Sequence, residues 1–139
     1  MSYPVSGGAH DLDFAPPEGY PQYSMVPHGM SVVLHAPAVF EWTASADPAR
    51  HISCATTMGA STSKNYDPND AGKILRDQIT PLMAALEIPN GLKAVGYTEA
   101  DIPALVEGTL PQHRVTKLSP KPVGREELTH LFENSMTLY

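Results

Sequence analysis

The chain has 139 residues, 42% of them apolar, and a net charge of −6 from 15 acidic and 9 basic side chains. That length fits one domain with an ordinary core, and an acidic balance with scattered Lys and Arg offers no electrostatic footprint for nucleic acid or an anionic membrane. The single cysteine, Cys54, excludes an internal disulfide and is expected to be a buried, inert group.

In chain order, residues 1–26 are rich in Pro, Gly and Tyr, and Gly7-Gly8, Pro16-Pro17 and Gly19-Tyr20-Pro21 read as turn signals. This segment is expected to form a loop, with a helical unit over residues 27–139. The first residues lack the succession of a secretory signal, and the acidic Asp11 and Asp13 argue against a mitochondrial presequence. Read as given, the chain carries no address and is expected in the cytoplasm.

The longest apolar run lies between Pro27 and Trp42. Bounded by Pro27 and broken by Pro37, it is shorter than the roughly 20 residues a membrane span requires. It predicts a helix from Gly29 to about Ala46, kinked or split at Pro37 and apolar on nearly all sides. Asp47-Pro48 restarts the chain as N-cap and first helical residue, with Ile52, Ala55 and Met58 on one face and His51 toward the surface. Asp67-Pro68 caps a further helix, in which Ala71, Ile74, Leu75, Ile79, Leu82, Met83 and Leu86 recur at helical spacing and Pro81 bends the axis.

Pro89-Asn90-Gly91-Leu92 is a turn. Of two possible caps for the next helix, Thr98 and Asp101, Asp101 is preferred because it places Pro103 in the first turn; Ile102, Leu105, Val106 and Leu110 then face inward. Pro120 and Pro122 hold the following run extended. A last helix follows Gly124, has Glu127 in its first turn and buries Leu128, Leu131, Phe132 and Met136. The fold class is all-α.

The local modules of several chemistries are absent. There is no G-x-G-x-x-G, G-x-S-x-G, C-x-x-C or H-E-x-x-H, and Gly59 to Lys64 lacks the glycine that must precede the lysine of a phosphate loop. His28 is the leading single candidate: Pro27 fixes the backbone before it, Gly29 permits close approach after it, and its imidazole suits a divalent metal. His35, seven residues on, is two helical turns away, roughly 10 Å along a straight axis, and cannot share one ion with His28. His10, Asp11 and Asp13 form a polar cluster that reads as solvated, as does the Lys117 and Lys121 pair; Glu126-Glu127 suits a helix start.

Several blocks in order carry a resemblance: Met1-Ser2-Tyr3-Pro4-Val5-Ser6-Gly7, Pro27-His28-Gly29-Met30-Ser31-Val32-Val33-Leu34, Pro37-Ala38-Val39-Phe40, Ala94-Val95-Gly96-Tyr97, Ala100 to Gln112, and Leu118-Ser119-Pro120-Lys121-Pro122. Together they resemble the carboxy-terminal part of the iron-containing alcohol dehydrogenase family, in the branch that passes hydride between a hydroxy acid and an oxo acid. The resemblance implies an incomplete form of the family's carboxy-terminal helical domain. It also implies a nucleotide-binding domain, a divalent iron or zinc held by one Asp and three His, and NAD(P), with a mitochondrial location in animals.

By that resemblance His28 is the last metal-binding histidine, and Tyr3 takes the place of an extra, non-ligating histidine in the cleft. The other three ligands precede the block that begins at Met1, which coincides with an internal methionine of the longer enzyme. One ligand of four does not close a metal site, so the chain alone is expected to be inactive and to hold neither metal nor nicotinamide tightly. The expected partners are small hydroxy and oxo acids and a chain carrying the missing domain. The alternative is a non-catalytic interaction or complementation module, using the incompletely covered surfaces of Val32, Val33, Leu34, Phe40 and Trp42.

Overall fold

The computed structural model describes residues 1–8, 12, 14–21, 23–61 and 66–139, and among them every regular element is helical. Eight α-helices run in order: α1 Ser2–Gly7, α2 His28–Val33, α3 Ala36–Thr43, α4 Pro48–Thr57, α5 Ala71–Ala85, α6 Ile102–Thr109, α7 His113–Thr116 and α8 Arg125–Glu133. None of the described helices is long and apolar enough to cross a membrane.

The apolar run divides at Leu34 and His35 into α2 and α3. Pro37 explains the division: it stands in the first turn of α3, where its missing N–H costs nothing, and cannot continue a helix begun at His28. Asp47 caps α4 by accepting a hydrogen bond from the Arg50 amide at 3.0 Å, and Asp67 accepts one from the Asn69 amide at 2.9 Å before α5. The start of α6 keeps the preferred assignment in position, with Asp101 as its N-cap residue and Pro103 in the first turn, but the Asp101 side chain does not cap this helix. Thr98 is the N-cap of the 3₁₀ turn Glu99–Asp101 that precedes the helix, its amide donating to the Asp101 carboxylate at 2.7 Å. A tight first turn lets Asp101 reach back, so the same residue is also the far half of a capping box begun at Thr98.

The helices pack as two groups. In one, α5 lies against α3 and α4; in the other, α6 packs on α8 and α1 packs on α2 and α6, with α3 touching α8 between the groups. The larger core belongs to the second group and joins Val5, Leu34, Leu92, Leu105, Val106 and Phe132 with their neighbours. The first group has a small-residue core around Ala44, Ile52 and Ala71, which brings backbones close. A Cβ on Gly72 would stand 2.5 Å from the Glu41 carbonyl oxygen and 2.8 Å from its Cα. Because the clash is with backbone, Gly72→Ala should fall at the upper end of the overpacking range of about 1–3 kcal/mol and lose about 2 kcal/mol net after roughly 1 gained in helix propensity. Urea denaturation checks this, and a midpoint at or above the parent's would contradict it.

Several expectations need correction, among them that for Leu34, expected to be incompletely covered and in fact fully buried. Residues 2–7, read as loop, form α1. Its sole buried residue is Val5, and it is held by Ser6 Oγ donating to the Val26 carbonyl at 3.0 Å and by the buried Tyr97 hydroxyl donating to the Val5 carbonyl at 2.7 Å. Burial, reinforced by Asp101, pushes that hydroxyl up to about 12, so it remains a donor at ordinary pH. Toward the end of α5, Leu82 and the C-cap residue Leu86 are exposed rather than buried, while Met83 between them is buried. Cys54 is exposed, as is Met58, which lies just past the end of α4.

Candidate functional site

α2 begins where the extended backbone of Pro27, at φ −52° and ψ 141°, turns into helix at His28. Pro27 is buried while His28 is exposed, so the proline anchors the turn and the imidazole stands free of the core. The His28 carbonyl accepts from Ser31 Oγ at 2.8 Å, closing the first turn by a bond that leaves the ring uncommitted.

The ring meets Tyr3, brought across from α1. Their ring centroids are 5.2 Å apart at an interplanar angle of 38°. A third group comes from α7: Arg114 Nη2 donates to the Tyr3 hydroxyl at 2.8 Å, with the guanidinium carbon 5.9 Å from the Tyr3 ring centroid. One tyrosine ring thus separates an exposed imidazole from an exposed guanidinium. The sequence offered no motif for Arg114, which is 111 positions from Tyr3 and sits on a helix of four residues.

His35 goes elsewhere. It is 3% exposed, sets its ring edge-on to Phe132 at 5.4 Å, and has hydrogen-bond partners for neither ring nitrogen. Burial, with a smaller contribution from the Met1 ammonium, pushes its pKa down to about 3, so it is neutral. His51, expected at the surface, is half-buried, with Nδ1 2.8 Å from the Asp47 carbonyl and Nε2 3.0 Å from Thr43 Oγ1. Both of its nitrogens being engaged, it is a structural link between α3 and α4.

The remaining candidates also fall outside one centre. His10, Asp11 and Asp13 lie outside the described residues. Lys121, read as solvated, is half-buried: its ammonium sits 4.4 Å from the Trp42 ring centroid and donates to the Trp42 carbonyl at 3.0 Å. Glu127 accepts from the Gly124 amide at 2.8 Å, as its place in the first turn of α8 predicts. Backbone hydrogen bonds hold its carboxyl below the usual range.

Among the described residues no three His, Cys, Asp or Glu side chains gather closely enough to hold a metal. His28 is chemically fit to be one ligand, being exposed and uncommitted, but a closed first shell needs donors that the described residues do not supply.

The profile of the Fe-containing alcohol dehydrogenase family, C-terminal, matches residues 1–136. Over its whole length the chain is 51% identical to a probable hydroxyacid-oxoacid transhydrogenase, mitochondrial, of Dictyostelium discoideum, covering 25% of that protein. It is 49% identical to hydroxyacid-oxoacid transhydrogenase, mitochondrial, of Homo sapiens, again over its whole length and covering 29% of that protein. The chain therefore spans between a quarter and three tenths of the relatives it matches. In structure it resembles 1,3-propanediol oxidoreductase with a TM-score of 0.70 over 79% of this chain and 28% of that one; at 24% identity the likeness is one of fold.

Proposed function

Because the chain belongs to the Fe-containing alcohol dehydrogenase family, we propose that it is the carboxy-terminal part of a mitochondrial hydroxyacid-oxoacid transhydrogenase. It contributes His28 as one ligand of a divalent iron or zinc, and Tyr3 as a wall of the substrate cleft. The reaction proposed oxidises 4-hydroxybutyrate to succinate semialdehyde and reduces 2-oxoglutarate to 2-hydroxyglutarate, by way of a nicotinamide cofactor. The observation that carries this reading is the exposed, uncommitted imidazole of His28, packed on Tyr3 at 5.2 Å.

A divalent metal, when bound, polarises the substrate oxygen for hydride transfer. This chain's residues prepare for that without completing it. His28 offers a ring nitrogen, and the Tyr3 ring limits how the imidazole can turn. The remaining ligands and the nicotinamide-binding residues are assigned to the part of the relatives' length that this chain does not span.

The second reading, a non-catalytic interaction or complementation module, is favoured by one feature: Val32, Phe40 and Leu118 are 49%, 42% and 81% exposed. Both readings need a partner surface, and a direct assay separates them. The purified chain is expected to show no exchange between 4-hydroxybutyrate and 2-oxoglutarate, whereas the chain joined to the upstream part of the Dictyostelium relative, called here the assembled enzyme, is expected to turn over. Turnover by the chain alone, or none by the assembled enzyme, would overturn the proposal.

A further inference from the structure

We propose that Arg114 is the subsite for the carboxylate of the hydroxy acid and oxo acid, reading the substrate's charged end while His28 serves its oxygen end. The inference rests on the proposed transhydrogenase function for the identity of the acid. Its physical basis is separate.

The chain has four arginines, and its 15 acidic side chains outnumber its 9 basic ones. Arg50 pairs with Asp47, Arg76 with Glu41 and Arg125 with Glu107. Among the described ion pairs none engages Arg114, whose guanidinium instead donates to the Tyr3 hydroxyl. An excess of carboxylates makes that exception informative. A guanidinium has five N–H donors in a fixed fork, and the bond to Tyr3 uses Nη2 alone, at 2.8 Å. No described hydrogen bond or ion pair engages the others, and the residue is exposed, so the fork has donors left that can match a carboxylate with two parallel hydrogen bonds.

Position gives the second part of the argument. Tyr3 touches both His28 and Arg114, the first ring to ring and the second through its hydroxyl. A short acid whose oxygen is held near His28 therefore has its carboxylate directed along Tyr3 toward the guanidinium. An alcohol of the same length without a carboxylate would leave Arg114 unused. Tyr3 is then a positioning residue for Arg114, holding its fork in one orientation so that less is lost in ordering it on binding.

The test begins with the chain itself and does not depend on turnover. In a nitrogen-15 NMR titration, 4-hydroxybutyrate is expected to shift the Arg114 Nε–H resonance saturably, while butane-1,4-diol leaves it unmoved and inorganic phosphate shifts it less. No shift, an equal shift by the diol, or a larger one by phosphate overturns the subsite. In the assembled enzyme, Arg114→Ala is expected to raise KM for 4-hydroxybutyrate about 10- to 100-fold, the range for losing hydrogen bonds to a charged group, with a markedly smaller loss in kcat/KM for butane-1,4-diol. Arg114→Lys, which keeps the charge and loses the fork, should fall between. Equal losses for acid and diol would mark a merely structural role and overturn the proposal. Carboxylate binding without turnover by the assembled enzyme would instead refute the transhydrogenase reading and leave the subsite standing.

Discussion

Replacing His28 with alanine in the assembled enzyme is expected to lower metal-dependent exchange between hydroxy acid and oxo acid by at least about 100-fold. Loss of a residue that merely orients a ligand costs about 10- to 100-fold, so loss of the ligand itself belongs at or beyond the upper end. Folding should survive the change. His28 is exposed, the bond that closes its helical turn uses its backbone carbonyl, and the packing anchor is Pro27, which is buried. Assay of turnover alongside thermal unfolding separates the two effects. A variant with parental turnover and parental metal content would remove His28 from the metal site, and with it the observation on which the function is proposed.

Acid is expected to destabilise the chain chiefly through His35. This side chain titrates near 6.5 in an unfolded chain but at about 3 in the folded one, because burial and then the Met1 ammonium disfavour its charged form. Between those values the unfolded state binds the extra proton, so stability is complete above about pH 6.5 and is lost progressively toward pH 3. At about pH 4 the loss assigned to this one group is about 3 kcal/mol, a large part of the roughly 5–15 kcal/mol that holds a domain folded. His35→Leu fills the same space beside Phe132 with no titrating group. Its unfolding free energy should vary less with pH than the parent's over about pH 4–6.5. Parallel curves for the two proteins would contradict the assignment.

Legibility in the sequence follows how local each cause is. α8 could be read almost residue by residue: Glu127 reaches the Gly124 amide, and Leu128, Leu131, Phe132 and Met136 are all buried. Here cap, period and core agree. The turn at Asn90-Gly91 was equally readable, Gly91 having φ +78°, but its purpose was not: Asn90 Oδ1 accepts from the Leu138 and Tyr139 amides and ties down the carboxy terminus.

α1 was illegible because a helix of six residues cannot sustain itself. It is folded by Tyr97, 92 positions away. Leu82 and Leu86 satisfy the helical period yet remain exposed, since periodicity marks a face without saying that anything lies opposite it. At the site, Pro-His-Gly marked His28 by local chemistry and family pattern together. The guanidinium that completes the row beyond Tyr3 comes from a four-residue helix, α7, with no local cause to reveal it.

The most direct test of the central claim, that this chain supplies one ligand to a metal site completed by residues outside it, is metal content after extensive dialysis. Three samples are compared: the chain alone, the assembled enzyme and its His28→Ala variant, each loaded anaerobically with Fe2+ or with Zn2+. The account predicts about one equivalent retained by the assembled enzyme and little by the other two. Tight retention by the chain alone, or undiminished retention by the variant, would contradict it.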